Sequence, residues 1–286
     1  APLFFDGGVT GGQPWEPKNY DGSFDGPMSL RKGLAKSKNM VSIRVLQAVG
    51  PRPAQEWVTR FGFDEDKHPA FLTMALGAGS VTPMQMATGY SVFANGGHLV
   101  QPHLITRITD FKDRVLVDSP AVTQLGETPA IPARNAFVMT SLLQEVTRSG
   151  TAARAQGTLK RPDIYGKTGT TNDAMDAWFA GYQTNLAAVV WIGYDTPRKL
   201  GDRETGGGLS LPVWISFMDT ALRGVSVSEP AVPEGLVNVG GDWVYEEYTK
   251  GGGISALGTG NEASGKAPHA APPADERNRI LNLFRN

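Results

Sequence analysis

Cysteine is missing altogether from these 286 residues. Disulfides and thiolate metal sites are therefore excluded, while the compartment stays open, an exported protein being compatible. Histidine is scarce: His68, His98, His103 and His269 stand at no metal-ligand spacing and read as loop or surface residues. Neither sign of charge is in excess. With 27 basic against 28 acidic residues and a formal net charge of −1, the chain lacks the electrostatic footprint of a general nucleic-acid binder. No stretch reaches the length of a membrane span, about 20 apolar residues. The N-terminus, Ala1-Pro2-Leu3-Phe4-Phe5-Asp6, has neither a starting Met nor a basic leader and reads as the interior of a longer protein. What remains is a chain of ordinary globular composition, 40% hydrophobic and 19% charged, able to bury a substantial core as one large domain or two small ones.

One stretch is chemically dense. Gly166-Lys167-Thr168-Gly169-Thr170-Thr171-Asn172-Asp173 gathers a cation, hydroxyls and a residue without Cβ. Ile164-Tyr165 before it and Ala177 to Tyr182 after it are aromatic, apolar and bounded by turn residues, which predicts strands on either side. Lys167 then sits on or beside a strand and faces a groove. Gly169 lets a ligand backbone approach closely. An ammonium flanked by the Thr168 and Thr170 hydroxyls suits a carboxylate. A phosphate loop is the first rival, but its opening glycine falls on Arg161, Pro162 follows, and the segment leads into strand rather than helix. The second rival is an ordinary polar turn, which four residues alone do not exclude.

Along the chain, residues 1–28 read as extended loop, too aromatic around Trp15 to Tyr20 for a disordered linker. Leu30 to Lys36 predicts a short helix capped by Ser29. Met40 to Val49 predicts another, with Val41, Val45 and Val49 on its apolar face and Gly50 at its end. Ser37-Lys38-Asn39 thus lies at a helix junction, where Asn39 as a cap and Ser37 as a solvated turn residue is the bland reading. Pro53 to Phe61 predicts a helix, and Thr82-Pro83-Met84-Gln85 has the form of a capping box opening one that runs through Met86, Tyr90 and Phe93, read as core, to Asn95. Leu99 to Asp118 reads as a hairpin around Lys112-Asp113. Asn135 to Arg148 is strongly helical, with a stripe of Phe137, Leu142 and Val146. Leu186 to Gly193 predicts a buried strand. A Gly-rich loop over 201–211 precedes a helix over Pro212 to Leu222, with Val213, Phe217 and Ala221 on one face and Trp214 beside them; Trp243 to Tyr245 is a last strand. The composition then turns to Gly, Ala, Pro and Ser. Residues 1–248 read as the domain and 249–286 as a disordered tail, with one helical turn of contact at Ile280, Leu281 and Phe284.

Ser37-x-Asn39 and Lys167-Thr168-Gly169, in that order and far apart, are two of the three signatures of the penicillin-recognising serine acyl-enzymes. The likeness extends to Leu30-Arg31, Met40-Val41-Ser42, Ala75-Leu76-Gly77, Phe93 to Gly97, Ala177 to Gly181, and Thr205-Gly206-Gly207 before Pro212-Val213-Trp214. From residue 14 to about 222 the chain resembles the transpeptidase domain of class A penicillin-binding proteins. The resemblance implies an α+β fold, an antiparallel sheet flanked by helices with an all-helical subregion, here partial. It implies serine acyl transfer from the D-Ala-D-Ala end of a peptidoglycan stem peptide to an amine on a neighbouring stem, with β-lactams acylating the same serine. No cofactor is implied. Ser37 would relay a proton toward the departing amine, and Lys167 would supply positive potential for that relay and for the substrate carboxylate. Thr168 and Thr170 would hydrogen-bond that carboxylate, the Thr170 N–H would serve the oxyanion, and Asn39, which can also cap its helix, would hold the substrate's peptide group.

The third signature, Ser-x-x-Lys, has one formal match, Ser29-Leu30-Arg31-Lys32, which lies too close to Ser37 and where the family has a capping residue. The expectation is a C-terminal fragment without its nucleophile, inactive alone and lacking helices its sheet needs. The expected fragment would also lack the upstream glycosyltransferase domain and membrane anchor of such proteins. Its partners would be stem peptides, β-lactams and the missing N-terminal part of the same protein, at the periplasmic face of a bacterial inner membrane. Two rivals stand beside this: a catalytically silent stem-peptide binding module, and a D,D-carboxypeptidase or β-lactamase-like hydrolase.

Overall fold

A computed structural model of the protein describes residues 1–7, 13–118, 129–202, 204–251, 254 and 256–258. The expected helical turn at Ile280, Leu281 and Phe284 lies outside the described residues, as does most of the expected tail.

Near the N-terminus Phe5 and Trp15 exchange two backbone hydrogen bonds of 2.9 Å, and their rings stack 5.7 Å apart. Helix α1 (Leu30–Ala35) starts on Ser29, whose hydroxyl accepts the Lys32 N–H. Helix α2 (Asn39–Val49) ends at Gly50 with φ 93°, a conformation open to glycine. Its apolar face needs correction: Met40, Ile43 and Leu46 are buried, against Leu3, Phe5 and Leu72, whereas Val41, Val45 and Val49 are only half-buried. The period was right and the phase wrong, because what dries this helix is a segment distant in sequence. Helix α3 (Pro51–Val58) continues into a 3₁₀ turn, Thr59–Phe61, ended by left-handed Gly62.

Helix α4 (Pro83–Ala94) opens with the complete capping box, Thr82 Oγ1 accepting the Gln85 N–H and Gln85 Oε1 accepting the Thr82 N–H. Gly89 and Val92 are its buried positions; Tyr90 and Phe93 pack against the core as expected and also line a cavity, whereas Met86, expected in the core, only lines that cavity. Strands β1 (Arg107–Thr109) and β2 (Val115–Asp118) form the expected hairpin, shorter than read and exposed along its length. Helix α5 (Ala133–Arg148) buries Ala136, Thr140, Leu143, Val146 and Thr147, so of the expected stripe only Val146 is deep. Helix α6 (Ala153–Leu159) was not expected at all.

The sheet that follows is antiparallel, in the order β3 (Tyr165–Thr170), β4 (Asp176–Gln183), β5 (Leu186–Gly193). Strand alternation gives it two faces. Tyr165 and its register partner Tyr182 face Leu143 of α5 and the Tyr90–Phe93 side of α4. Phe179 points the other way, 4.9 Å from the Trp214 ring of helix α7 (Leu211–Ala221), in a core with Val146, Ile164 and Met218. Each such fully buried large side chain stabilises the fold by about 1.5–3 kcal/mol. Strand β5 is half-buried throughout rather than buried. On α7 the expected face is again the wrong one: Leu211, Trp214, Ile215 and Met218 are inside, while Val213 and Phe217 are each 51% exposed. A last hairpin, β6 (Leu236–Val239) and β7 (Asp242–Tyr245), packs Trp243 against Phe137 of α5. The fold is thus α+β, with an antiparallel sheet between helices and a helical region formed by α1 to α4. Among the described residues no helix is long and apolar enough to cross a membrane.

Candidate active site

Strand β3 can lie flat on β4 because Gly166 has no side chain: a Cβ there would sit 2.7 Å from the Phe179 ring and 2.8 Å from the Ala180 carbonyl oxygen. The register pairs Lys167 with Ala180 and Gly169 with Trp178. Lys167 therefore shares a face with Tyr165 and Gly169 and extends toward the helical region.

The turn it meets is a helix end of unusual composition. After α1 the Ser37 N–H donates to the Leu34 carbonyl at 3.0 Å and the Lys38 N–H to the Gly33 carbonyl at 2.8 Å. That pair of bonds is the Schellman ending, which needs a left-handed residue at its first position past the cap and normally uses glycine. Here the residue is Ser37, at φ 53°. A serine held at positive φ carries strain that glycine would avoid, which points to a use for its hydroxyl. That use is visible: Lys167 Nζ donates to Ser37 Oγ at 2.8 Å, and to the Thr168 carbonyl at 2.9 Å.

Lys167, Thr168, Gly169, Thr170 and Thr171 form one wall of a cavity of about 860 Å³. Met86, Tyr90 and Phe93 of α4 lie on another wall, and Trp178 and Trp191 close a third. Both indoles donate to Asp176 Oδ2, at 2.9 and 3.1 Å. Thr168 Oγ1 is 2.8 Å from Thr151 Oγ1, and Thr170 Oγ1 accepts the Gly206 N–H at 3.0 Å, which leaves the Thr170 hydroxyl proton free to point at a ligand. The Gly206–Ser210 turn presses so closely on the strands that a Cβ at Gly206 would lie 2.3 Å from the Trp178 carbonyl oxygen. Burial lowers the Lys167 ammonium from its ordinary value to about 8, since removal from water penalises the charged form.

Of the residues singled out from sequence, Ser37 and Lys167 are brought into direct contact, and Thr168, Gly169 and Thr170 line the same cavity as Lys167. Asn39 is not among the lining residues; its amide donates to the Lys18 carbonyl at 2.7 Å. Nor does Asn39 cap α2. The Met40 N–H goes to Asn19 Oδ1 at 3.2 Å, so the cap comes from a distant loop. Sequence reasoning also passed over Thr151 and the Asp176–Trp178–Trp191 group. Only the register of β3, β4 and β5 brings that group to the cavity.

Residues 3–214 match the model of the penicillin binding protein transpeptidase domain. The chain belongs to that family. As a penicillin-binding transpeptidase domain it is 44% identical over 275 residues to penicillin-binding protein 1A of Neisseria flavescens, covering 96% of this chain and 34% of that protein. Against penicillin-binding protein 1A of Pseudomonas aeruginosa it is 41% identical over 271 residues, 79% of this chain and 33% of the relative. The chain thus spans about a third of the length of these relatives. The crystal structure of penicillin-binding protein 1A from Haemophilus influenzae superposes with a TM-score of 0.76 at 34% identity, over 83% of this chain and 40% of that one. The penicillin-binding protein PonA1 of Mycobacterium tuberculosis superposes with a TM-score of 0.67 at 26% identity, over 82% and 65%. The expected α+β transpeptidase fold is therefore the one this penicillin-binding domain has.

Proposed function

We propose that this domain binds the D-Ala-D-Ala terminus of peptidoglycan stem peptides, and β-lactams in its place, and supports D,D-transpeptidation by serine acyl transfer at the periplasmic face of a bacterial inner membrane. The observation that carries this reading is the 2.8 Å bond from Lys167 Nζ to Ser37 Oγ, between residues 130 apart in sequence, at the edge of a threonine-lined cavity. An attacking serine Oγ, giving its proton to the lysine of its own Ser-x-x-Lys motif, adds to the carbonyl carbon of the penultimate D-Ala. The amide C–N bond breaks, and the departing amine of the last D-Ala takes up a proton. Ser37 hands over its hydroxyl proton and is reprotonated from the Lys167 ammonium, a transfer that the lowered Lys167 value eases. The amine of a second stem then displaces the serine, its proton returning through Ser37 to Lys167 while the Ser-x-x-Lys lysine gives its own back to the serine, which completes the cross-link. Lys167 and the Thr168 and Thr170 hydroxyls receive the substrate carboxylate, the Thr170 N–H supports the oxyanion, and Asn39 holds the substrate peptide group by exchanging its bond to Lys18.

No serine of this chain is proposed as the nucleophile. Ser29 of the formal Ser-x-x-Lys match is engaged in capping α1 through the Lys32 N–H. The attacking residue belongs to an upstream segment of the same protein, consistent with relatives about three times as long, of which this chain spans 34%. The test is mass spectrometry after exposure to labelled penicillin. The expected result is no covalent adduct on this chain alone, and, in the protein translated from the complete gene, an adduct on a serine outside residues 1–286. An adduct on any serine of residues 1–286 refutes the assignment.

A further inference from the structure

Lys38 stands between the two polar residues of the turn, and none of the roles just given uses it. Its side chain is only 5% exposed, rare for lysine unless paired. Nζ lies 2.7 Å from Asp21 Oδ2 and 2.7 Å from Asp25 Oδ2, and donates to Ser23 Oγ at 3.1 Å. The same loop grips the turn at the next two positions. Lys18 accepts from the Asn39 amide, and Asn19 Oδ1 accepts from the Met40 N–H while its own amide donates to the Ser23 carbonyl at 2.6 Å. Residues 18–25 therefore hold three consecutive residues, Lys38, Asn39 and Met40, directly after the strained Ser37. The ion pairs raise Lys38 above its ordinary value and hold Asp21 down to about 2, so the charges persist across any assay pH near neutrality.

We infer that Lys38, anchored by Asp21 and Asp25, is a positioning residue that keeps Ser37 left-handed and its hydroxyl in register with Lys167. A serine at positive φ returns to an ordinary conformation unless its surroundings over-determine it. Helix α1 fixes Ser37 from one side through the Leu34 and Gly33 carbonyls. From the other side the fixing comes from the loop, and Lys38 is the side chain through which the loop is bound by charge. Relaxation of Ser37 carries Oγ away from Lys167 Nζ and breaks the proton path. The contribution is read in rate with Lys38→Met, which removes the buried charge together with its need for partners.

The inference rests on the acyl-transfer reading for its kinetic test, which uses the protein translated from the complete gene. Acylation by labelled penicillin is timed in wild type, Lys38→Met, Lys38→Arg and the double variant Asp21→Asn with Asp25→Asn, and melting is followed in each. Lys38→Met and the double variant are expected to slow acylation about tenfold or more, Lys38→Met with nearly unchanged melting and the double variant with a lowered one because it leaves a buried ammonium unpaired, and Lys38→Arg to stay within about threefold of wild type. A Lys38→Met or double variant that acylates at the wild-type rate overturns the inference. If Lys38→Met does not fold, the double variant decides by the same criterion. If wild type itself is not acylated, the functional proposal fails instead. The positioning claim is then judged by the Lys167 midpoint from NMR, expected to rise in the double variant above that of wild type as the loosened turn admits water, and overturned if the two midpoints agree.

Discussion

Ser37 sits where a helix ending prefers glycine, and that conflict is measurable. Ser37→Ala keeps the left-handed strain and loses the hydroxyl; Ser37→Gly loses both. Glycine is normally the worse residue in ordered structure, yet here it should be the more stable of the two variants by about 1 kcal/mol, a difference that urea unfolding resolves. Both variants should lose the proton path alike. Lys167 sets a pH dependence. Its value falls from 10.5 to about 8, so it is a cation below about pH 8 and neutral above. Capture of a carboxylate ligand should weaken as pH rises through 8, and a titration of binding that is flat from 7 to 9.5 contradicts the assignment of Lys167 to the carboxylate. For folding the sign is opposite: between about 8 and 10.5 the unfolded chain holds more protons than the native one, so stability rises with pH over that window.

Strand β3 depends on what ties down its start. Asp163, fully buried, accepts from Arg161 Nε at 2.9 Å and Nη2 at 2.7 Å, from the Gln183 amide at 3.0 Å and from the Ser228 N–H at 3.0 Å. Burial alone raises this carboxyl, but Arg161 and the Ser228 and Gln183 donors outweigh it and hold it below the ordinary range. Asp163→Ala leaves a mostly buried guanidinium without its partner and should cost about 3 kcal/mol, read as a shift in the denaturant midpoint. Because Asp163 is lowered, its share of stability is present above the ordinary carboxylate value and is lost as pH falls through the native one. The capping box of α4 is a smaller and more local element: Thr82→Ala should cost about 1 kcal/mol and leave the cavity intact. Helix α1, which delivers Ser37, is held along its length by Arg31, which donates to the Ser141 carbonyl and hydroxyl on α5 and to Asp242 on β7. The terminal hairpin, beyond the span matched by the family, is thereby linked to the element that carries the turn.

Across the molecule, one side of the sheet is better covered than the other. Among the described residues no strand pairs with the outer edge of β5, which is half-buried along its length, and Val213 and Phe217 project from the outer side of α7. A half-dry edge strand beside an apolar helix face is a surface that free chains seldom leave open. The expected outcome for residues 1–286 alone is a broad, weakly cooperative thermal transition that sharpens when an upstream segment of the protein is added. A single sharp transition of the isolated chain, with agreeing calorimetric and van't Hoff enthalpies, would count against it.

Local chemistry was readable without coordinates. The Ser29 cap, the Thr82–Gln85 box, the strands around Lys167-Thr168-Gly169 and the helix junction at Ser37 all follow from near neighbours in the chain, where one residue's preference is decided by the next few. Spaced short motifs also sufficed to name the family, since residues far apart rarely match together by chance. What failed was direction. The periodicity puts the buried faces of α2 and α7 one position off, Met86 lies on a cavity wall rather than in the core, and the cap of α2 comes from Asn19, not Asn39. Periodicity tells that a helix has an apolar side, but the partner packed against it selects which side is dry, and that partner lies far away in sequence. The distance between Ser37 and Lys167 is of the same kind: each residue is announced by its own motif, and only the packing of α1 and of β3 against α5 places a hydroxyl 2.8 Å from an ammonium.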